Sequence, residues 1–185
     1  MQTPLIALAY FTAALASAAA AWTDHRTGRI PNWITMPTVA LGLIMHAAMG
    51  GVHALTTSGL GLLVGIAVPA ILYKVSAGKA IGGGDVKLFA ALGALLGPTL
   101  AIEMQFGAFV LLSVFALMHL AFQGALLRVL RNSSMLLLNP LLPRKWRQTI
   151  QPDAMTEIRM GPAIACAVLS TLVVEHIGRM GSWLY

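Results

Sequence analysis

Long apolar runs dominate this sequence and limit what the chain can fold into. Runs of 16 or more mostly apolar residues recur along its length, and each is near the ~20 residues that an α-helix needs to cross the hydrocarbon core of a bilayer. Hydrophobic residues make up 58% of the 185 positions and charged residues only 10%, whereas a soluble domain has about 25% charged residues. Because backbone polar groups in lipid must be satisfied within helices, the sequence predicts an all-α, multi-pass membrane protein.

The hydropathy pattern divides the chain into six predicted transmembrane helices within a single membrane-embedded domain, residues 1–185. The predicted helices cover about residues 4–22, 34–52, 58–75, 86–102, 104–127 and 161–177. The polar connection 128–160 is predicted to be a cytoplasmic loop. Its apolar stretch 135–142 is too short to span a bilayer and is expected to lie on the membrane surface.

The basic residues predict how the helices are oriented. Eleven of the twelve lysines and arginines fall in or beside the connections that follow the first, third and fifth predicted helices. By the positive-inside rule, these connections face the cytoplasm and both termini lie outside a bacterial inner (cytoplasmic) membrane. This topology also explains the net charge of +6, so the charge does not favour nucleic-acid binding.

Two aspartates, Asp24 and Asp85, lie at cytoplasmic helix ends in this topology. Two neighbouring carboxyl groups do not both ionise readily, so one holds a proton at a pH where the other is charged. Such a pair is suited to amide hydrolysis by general acid–base catalysis, because the charged member activates a water and the protonated member donates to the carbonyl oxygen. The pair titrates as a unit, so the sequence assigns neither residue a fixed role.

Three glycines, Gly82, Gly83 and Gly84, directly precede Asp85. Having no side chains and tolerating positive φ, they would let an extended substrate backbone come close to the aspartates. The same residues also fit purely structural roles, with Asp85 as the N-cap of the fourth helix, the glycines as a flexible turn and Asp24 as a solvated loop residue. From these residues alone, both interpretations stay open.

Several short motifs extend this pattern over most of the chain: Asp24 followed by Ile30-Pro31-Asn32, then Gly82 to Leu88, Gly93 to Gly97, and Met160 to Ile164. Together they resemble the type IV prepilin peptidases, a family of GxGD membrane aspartic proteases. The resemblance implies that Asp24 and Asp85 are the catalytic pair. It also implies that the substrates are prepilin-like precursors of pilus-assembly and secretion systems, which lose a short basic leader at the cytoplasmic membrane face.

The resemblance is to the short, peptidase-only members of the family, such as those of Flp/Tad pilus systems. The larger members carry an N-terminal extension with cysteine pairs and a methyltransferase activity, so N-methylation is not expected here. Cys166 is the single cysteine and cannot form an intramolecular disulfide or a zinc cluster. No metal or other cofactor is expected, the expected partners are precursors and membrane lipids, and the oligomeric state is left open.

Residues around the two aspartates are predicted to bind substrate or support the site: Gly82, Gly83, Gly84, Lys87, Pro31 and Asn32. Lys87 is expected to tune the pKa of the pair or to bind lipid phosphate, and a plain interfacial lysine fits equally well. Asn32 either contacts substrate or, as we expect, caps the second helix. His25 is expected to be a solvated loop residue, while His46 and His119 lie inside predicted helices with open roles.

The alternative function is a non-enzymatic membrane subunit, for transport or pilus assembly, in which the aspartates form a proton relay. Such a relay requires ionisable groups at mid-membrane depth on several helices. Both aspartates instead lie at predicted helix ends, which favours the peptidase.

Overall fold

The fold consists of α-helices throughout the part of the chain that the structure describes. The computed structural model describes residues 3–76, 78, 81–122, 124 and 160–181, and the side chains of all of these except 3 and 178–181. The helices are α1 (Thr3–Thr27), α2 (Asn32–Val75), α3 (Gly83–Leu96), α4 (Pro98–Phe122) and α5 (Gly161–Gly181). No strand occurs in these residues, and the predicted all-α class is confirmed.

The chain divides into two compact units, Met1–Leu111 with Arg159–Tyr185, and Leu112–Ile158. The first unit holds the residues on which the site depends. The second is described only over the last part of α4 and at residue 124. The predicted loop 128–160 lies outside the described residues up to position 159, as do the predicted surface stretch 135–142 and the end of the predicted helix 104–127.

Several helices are suited to a bilayer. Pro4–Thr27, Asn32–Val75 and Pro98–Phe122 are long and apolar enough to cross one, and α5 contains a shorter apolar stretch, Gly161–Ile177. Large apolar side chains such as Phe11 and Phe106 are exposed on these helices, where lipid rather than water would surround them. The protein is therefore a membrane protein.

Helix α2 reverses direction in its middle. Gly50 and Gly51 leave helical geometry, and Gly51 has φ 59°, a conformation that glycine adopts without steric cost. Before this break, α2 advances in parallel with α3, from Asn32 beside Lys87 to Gly42 beside Ala94. After it the direction is opposite, since Ser58 donates to the Ala94 carbonyl at 2.6 Å and Gly65 lies against Phe89.

The two halves of α2 thus correspond to the second and third predicted helices. The predicted link between them, at residues 53–57, is wrong, because these residues are helical and the turn occurs at Gly50 and Gly51. A pair of glycines can take the non-helical angles that a sharp reversal requires.

The fourth helix is predicted to end near residue 102 with a short link around 97–103, but the break consists of Gly97 alone. Helix α3 ends at Leu96 and α4 begins at Pro98, with Gly97 at φ 84° between them. Glycine tolerates this angle, and proline suits the first helical position because its missing N–H has no intrahelical partner there. Helix α3 therefore has 14 residues and is about 21 Å long.

The first helix is longer than predicted. It continues to Thr27, and Gly28 ends it with φ 65°, in the left-handed geometry typical of a helix C-terminus. Asp24 and His25 are therefore helical, not loop residues as predicted. Near this end the Arg26 guanidinium lies 4.3 Å from the Trp22 ring centroid, a cation–π contact.

Helix α3 lies at the centre of the first unit and is buried from Leu88 to Leu96. Both halves of α2 approach it through four glycines that we call the glycine seam: Gly42, Gly61, Gly65 and Gly93. A Cβ atom at Gly42 would lie 2.8 Å from the Ala94 carbonyl carbon, and one at Gly61 would overlap the Gly93 carbonyl oxygen. Small residues allow such backbone-to-backbone contact, which stabilises helix packing in lipid. Helix α1 packs against α2, α3 and α5.

Candidate active site

Asp24 lies in the last turn of α1 and is only 7% exposed. Its Oδ2 accepts a hydrogen bond of 2.9 Å from the backbone N–H of Gly161, the first residue of α5. The first N–H groups of a helix have no intrahelical acceptor, so this amide is available to the carboxyl group. Asp24 is therefore held by a helix that begins 137 positions later in the chain.

Asp85 lies in the first turn of α3, directly before the apolar run that starts at Val86. The residue is 9% exposed, and its Oδ2 accepts a 3.1 Å hydrogen bond from the Gly82 N–H. Gly82 is the N-cap residue, with an extended backbone (φ −76°, ψ 151°). The structural alternative that makes Asp85 the N-cap is therefore wrong, because Asp85 is the third residue of the helix and bonds back to the N-cap.

The two carboxyl groups interact. The pKa of Asp85 is raised from its ordinary value of 3.8 to about 6, first by burial and then by the negative charge of Asp24, while the Gly82 N–H opposes both. Asp85 Oδ1 is buried and has no hydrogen-bond partner among the described residues. A buried, partly unsatisfied carboxyl group beside a second carboxyl group is the arrangement that keeps one proton on a pair near neutral pH.

None of the three glycines before Asp85 is needed for its φ angle, and Gly84 has the least space for a side chain. None of them is among the described glycines with positive φ, and Gly83 and Gly84 are helical residues rather than a flexible turn. A Cβ atom at Gly84 would lie 3.1 Å from the Ile30 Cβ, in the segment before α2. Gly82 and Gly83 are exposed, so bare backbone borders the buried Asp85.

Three further predicted residues meet beside the aspartates. Lys87 Nζ donates to Asn32 Oδ1 at 3.0 Å on the exposed surface. Pro31 is the N-cap residue of α2, and no side chain caps that helix. The expectation that Asn32 caps it is therefore wrong. Instead, Asn32 and Lys87 connect the starts of α2 and α3.

The main feature that sequence reasoning missed is the contact between Gly161 and Asp24. The motif from Met160 to Ile164 lies at the start of the last predicted helix, but its sequence does not indicate that it contacts Asp24. Of the histidines inside predicted helices, His46 has its Nδ1 3.0 Å from the Gly42 carbonyl oxygen. That contact lies within its own helix and gives it no link to the site.

Asp85→Asn is expected to stabilise the folded protein at neutral pH. A carboxyl group whose pKa rises on folding binds its proton more tightly in the folded state. Its cost to stability is therefore absent below pH 3.8, grows as the pH rises, and is complete above about 6. A pKa rise of this size lowers the free energy of unfolding by about 3 kcal/mol once both states are ionised. Asparagine does not ionise and avoids this cost.

The measurement is the apparent melting temperature of wild type and Asp85→Asn in one detergent across this pH range. The difference between the two melting temperatures should grow as the pH rises and become constant above about 6. Glu103→Gln, on an exposed position of α4, is the matched control. A gap of the same size at every pH would mean that ionisation of Asp85 does not cause it.

Comparison with known proteins places these residues in a family context. The sequence model described as the type IV leader peptidase family matches residues 10–117, a range that includes both aspartates and the glycines before Asp85. The chain is 35% identical over 98 residues to prepilin peptidase EppA of Methanothermobacter thermautotrophicus. That alignment covers 48% of this chain and 23% of the relative. No solved structure gives a significant match.

Proposed function

Because the chain belongs to the type IV leader peptidase family, we propose that it is a membrane aspartic endopeptidase. Its substrates are prepilin-like precursors, from which it removes a short basic leader at the cytoplasmic face of the cytoplasmic membrane. The observation that carries the proposal is the convergence of two buried aspartates from different helices, where the charge of Asp24 raises the pKa of Asp85.

The reaction that this pair supports is direct attack of water on the scissile peptide bond. One carboxylate removes a proton from water while the water oxygen bonds to the carbonyl carbon. The protonated partner donates its proton to the carbonyl oxygen. Collapse of the tetrahedral intermediate breaks the C–N bond. The first carboxyl group then gives its proton to the leaving nitrogen and the second recovers its own, so the pair ends as it began.

The exposed backbone at Gly82 and Gly83 supports this surface as the place where the substrate binds. A peptide must be extended for its scissile bond to be reached, because a helix shields its amides. Glycines without side chains allow such a strand to approach the buried Asp85. Lys87, Asn32 and Pro31 lie at the same helix ends, and we assign them to the support of this surface.

The proposed topology has six membrane crossings: α1, the two halves of α2, α3 from Val86 onward, α4 and α5. The reversal at Gly51 and the break at Gly97 support it. Contacts also gather the end of α1 and the starts of α2, α3 and α5, since Asp24 bonds Gly161 and Lys87 bonds Asn32. The basic residues place this gathered end in the cytoplasm and both termini outside.

Helix α3 is shorter than the ~30 Å hydrocarbon core, at about 21 Å. Its residues from Leu88 to Leu96 are buried, so other helices and not lipid surround it. A helix surrounded by protein does not have to match the thickness of the bilayer, because irregular backbone at its ends is satisfied by neighbouring helices.

The rival function, a transport or pilus-assembly subunit with a proton relay, is disfavoured by the position of the pair. A relay across the membrane uses ionisable groups at mid-membrane depth. Asp24 and Asp85 lie instead at helix termini, where a substrate can arrive from the aqueous side.

The test is cleavage of a prepilin-like precursor by membrane vesicles that contain the protein, followed by mass spectrometry of the products. Inverted vesicles, whose cytoplasmic face is outside, are expected to cut added precursor at one position. Sealed right-side-out vesicles are expected to leave it intact until they are opened with detergent. Vesicles with the double substitution Asp24→Asn and Asp85→Asn control for contaminating proteases. No cleavage by wild type in any of these preparations would reject the peptidase.

A further inference from the structure

Beyond the proposed function, and resting on it, we infer that the start of α5 decides which aspartate carries the charge. Gly161 is a positioning residue that holds Asp24 as the ionised member of the pair, and the shared proton therefore remains on Asp85.

The first step is the unequal hydrogen bonding of the two carboxyl groups. Asp24 accepts a buried 2.9 Å bond from the Gly161 N–H of another helix. The amide belongs to the N-terminus of α5, where the helix dipole adds a partial positive charge that favours an anion. Asp85 accepts a longer bond of 3.1 Å, from the N-cap residue of its own helix.

The second step is the unpartnered oxygen of Asp85. Oδ1 is buried, and no hydrogen-bond partner is found for it among the described residues, while the residue as a whole is 9% exposed. A buried anion with an unsatisfied oxygen is costly. Protonation of that oxygen removes the charge and turns it into a donor that is free to bond a substrate carbonyl.

There is no space for a side chain at position 161 beside Asp24. A Cβ atom at position 161 would lie 2.8 Å from both Cβ and Oδ2 of Asp24, closer than such atoms approach one another. Only glycine allows α5 to begin so close to this carboxyl group. Its requirement here comes from contact and not from φ, since Gly161 is not among the described glycines with positive φ.

Within the described part of the chain, the other charged groups named at this end of α1 are exposed or bonded to another residue. The helices packed against α1 are α2, α3 and α5, and Lys87 on α3 donates to Asn32. On α1 itself, His25 and Arg26 are exposed. The charge of Asp24 acts on Asp85, which it makes harder to ionise.

The consequence for the reaction is a fixed division of roles. Asp24 takes the proton from the attacking water and later delivers it to the leaving nitrogen. Asp85 donates its proton from Oδ1 to the carbonyl oxygen and recovers it when the intermediate collapses.

Infrared spectroscopy of the purified protein in detergent tests this assignment without any substrate. Below about pH 6, wild type is expected to show the carbonyl stretch of a buried protonated carboxyl group. The band should persist in Asp24→Asn and disappear in Asp85→Asn. The reverse pattern would overturn the inference while leaving the proposed peptidase intact.

Kinetics of Gly161→Ala test the positioning role. Displacing Asp24 is expected to lower kcat by about 10–100-fold, since a misplacement near 1 Å can cost about 10²-fold, with KM within about twofold of wild type. Gly107→Ala is the control, since its Cβ would only touch Ala167 of α5 at 3.5 Å.

A backbone ester at position 161 covers the case in which Gly161→Ala fails to fold. It removes the N–H that donates to Asp24 and adds no atom near Asp24, and it should lower kcat with little change in KM. If the folded ester protein keeps the wild-type kcat, Gly161 does not position Asp24. Absence of cleavage in wild type would instead count against the proposed function.

Discussion

Asp24→Asn and Asp85→Asn, made separately, are each expected to lower kcat/KM for precursor cleavage by about 10²–10⁴-fold, the usual contribution of a general acid or base. An amide neither removes a proton from water nor donates one as a carboxylic acid does. Both side chains are buried, so bulk water does not readily replace either group. The measurement is initial rate against precursor concentration in detergent micelles, with the products resolved by gel mobility.

Two controls sharpen this result. Glu103→Gln makes the same chemical change at an exposed position of α4 and should leave the rate unchanged. The double variant should be little slower than either single variant, because groups that act as one unit do not contribute additively. A single variant that cleaves at the wild-type rate would remove that residue from the catalytic pair.

Gly61→Ala is expected to destabilise the protein strongly. The new Cβ would overlap the Gly93 carbonyl oxygen and lie 2.9 Å from the Gly97 backbone. Backbone atoms cannot rotate away as a flexible side chain can, so α2 and α3 must separate. We expect a loss at or above the upper end of the ~1–3 kcal/mol typical of overpacking.

Gly59→Ala, two positions away in the same half of α2, is the matched control. A Cβ atom there meets nothing within 4 Å, and alanine is a better helix former than glycine by about 1 kcal/mol. Its apparent melting temperature in detergent should equal or exceed that of wild type, while that of Gly61→Ala falls by several degrees. Equal melting of the two variants would mean that the glycine seam does not hold α2 against α3.

The two kinds of variant separate activity from stability. Asp85→Asn should lose cleavage and gain stability near neutral pH, because the carboxyl group that we propose for catalysis is buried and costly to the fold. Gly61→Ala should lose stability first and activity only as the protein unfolds. Measuring both quantities on both variants therefore distinguishes residues that do chemistry from residues that keep the helices together.

Sequence reasoning indicated the family and the helical class but placed several helix ends wrongly. The hydropathy pattern of a membrane protein shows how long an apolar stretch is, but it does not show where the helix backbone breaks. The turn at Gly50 and Gly51, the break at Gly97 and the extension of α1 past Asp24 were therefore misplaced by several residues. At each of the three, a glycine takes a positive φ that other residues avoid, and hydropathy does not register this angle.

Composition was sufficient to establish a helical membrane protein, because apolar length and scarcity of charge restrict a chain to helices when the solvent is lipid. The motifs around Asp24 and Asp85 were sufficient to indicate the family. Three-dimensional packing alone brought the Gly161 amide to Asp24, set Gly61 against Gly93 and buried Asp85 until its pKa rose to about 6. Such contacts join residues far apart in the chain, and helices that are apolar on every side carry no sequence signal of which faces will meet.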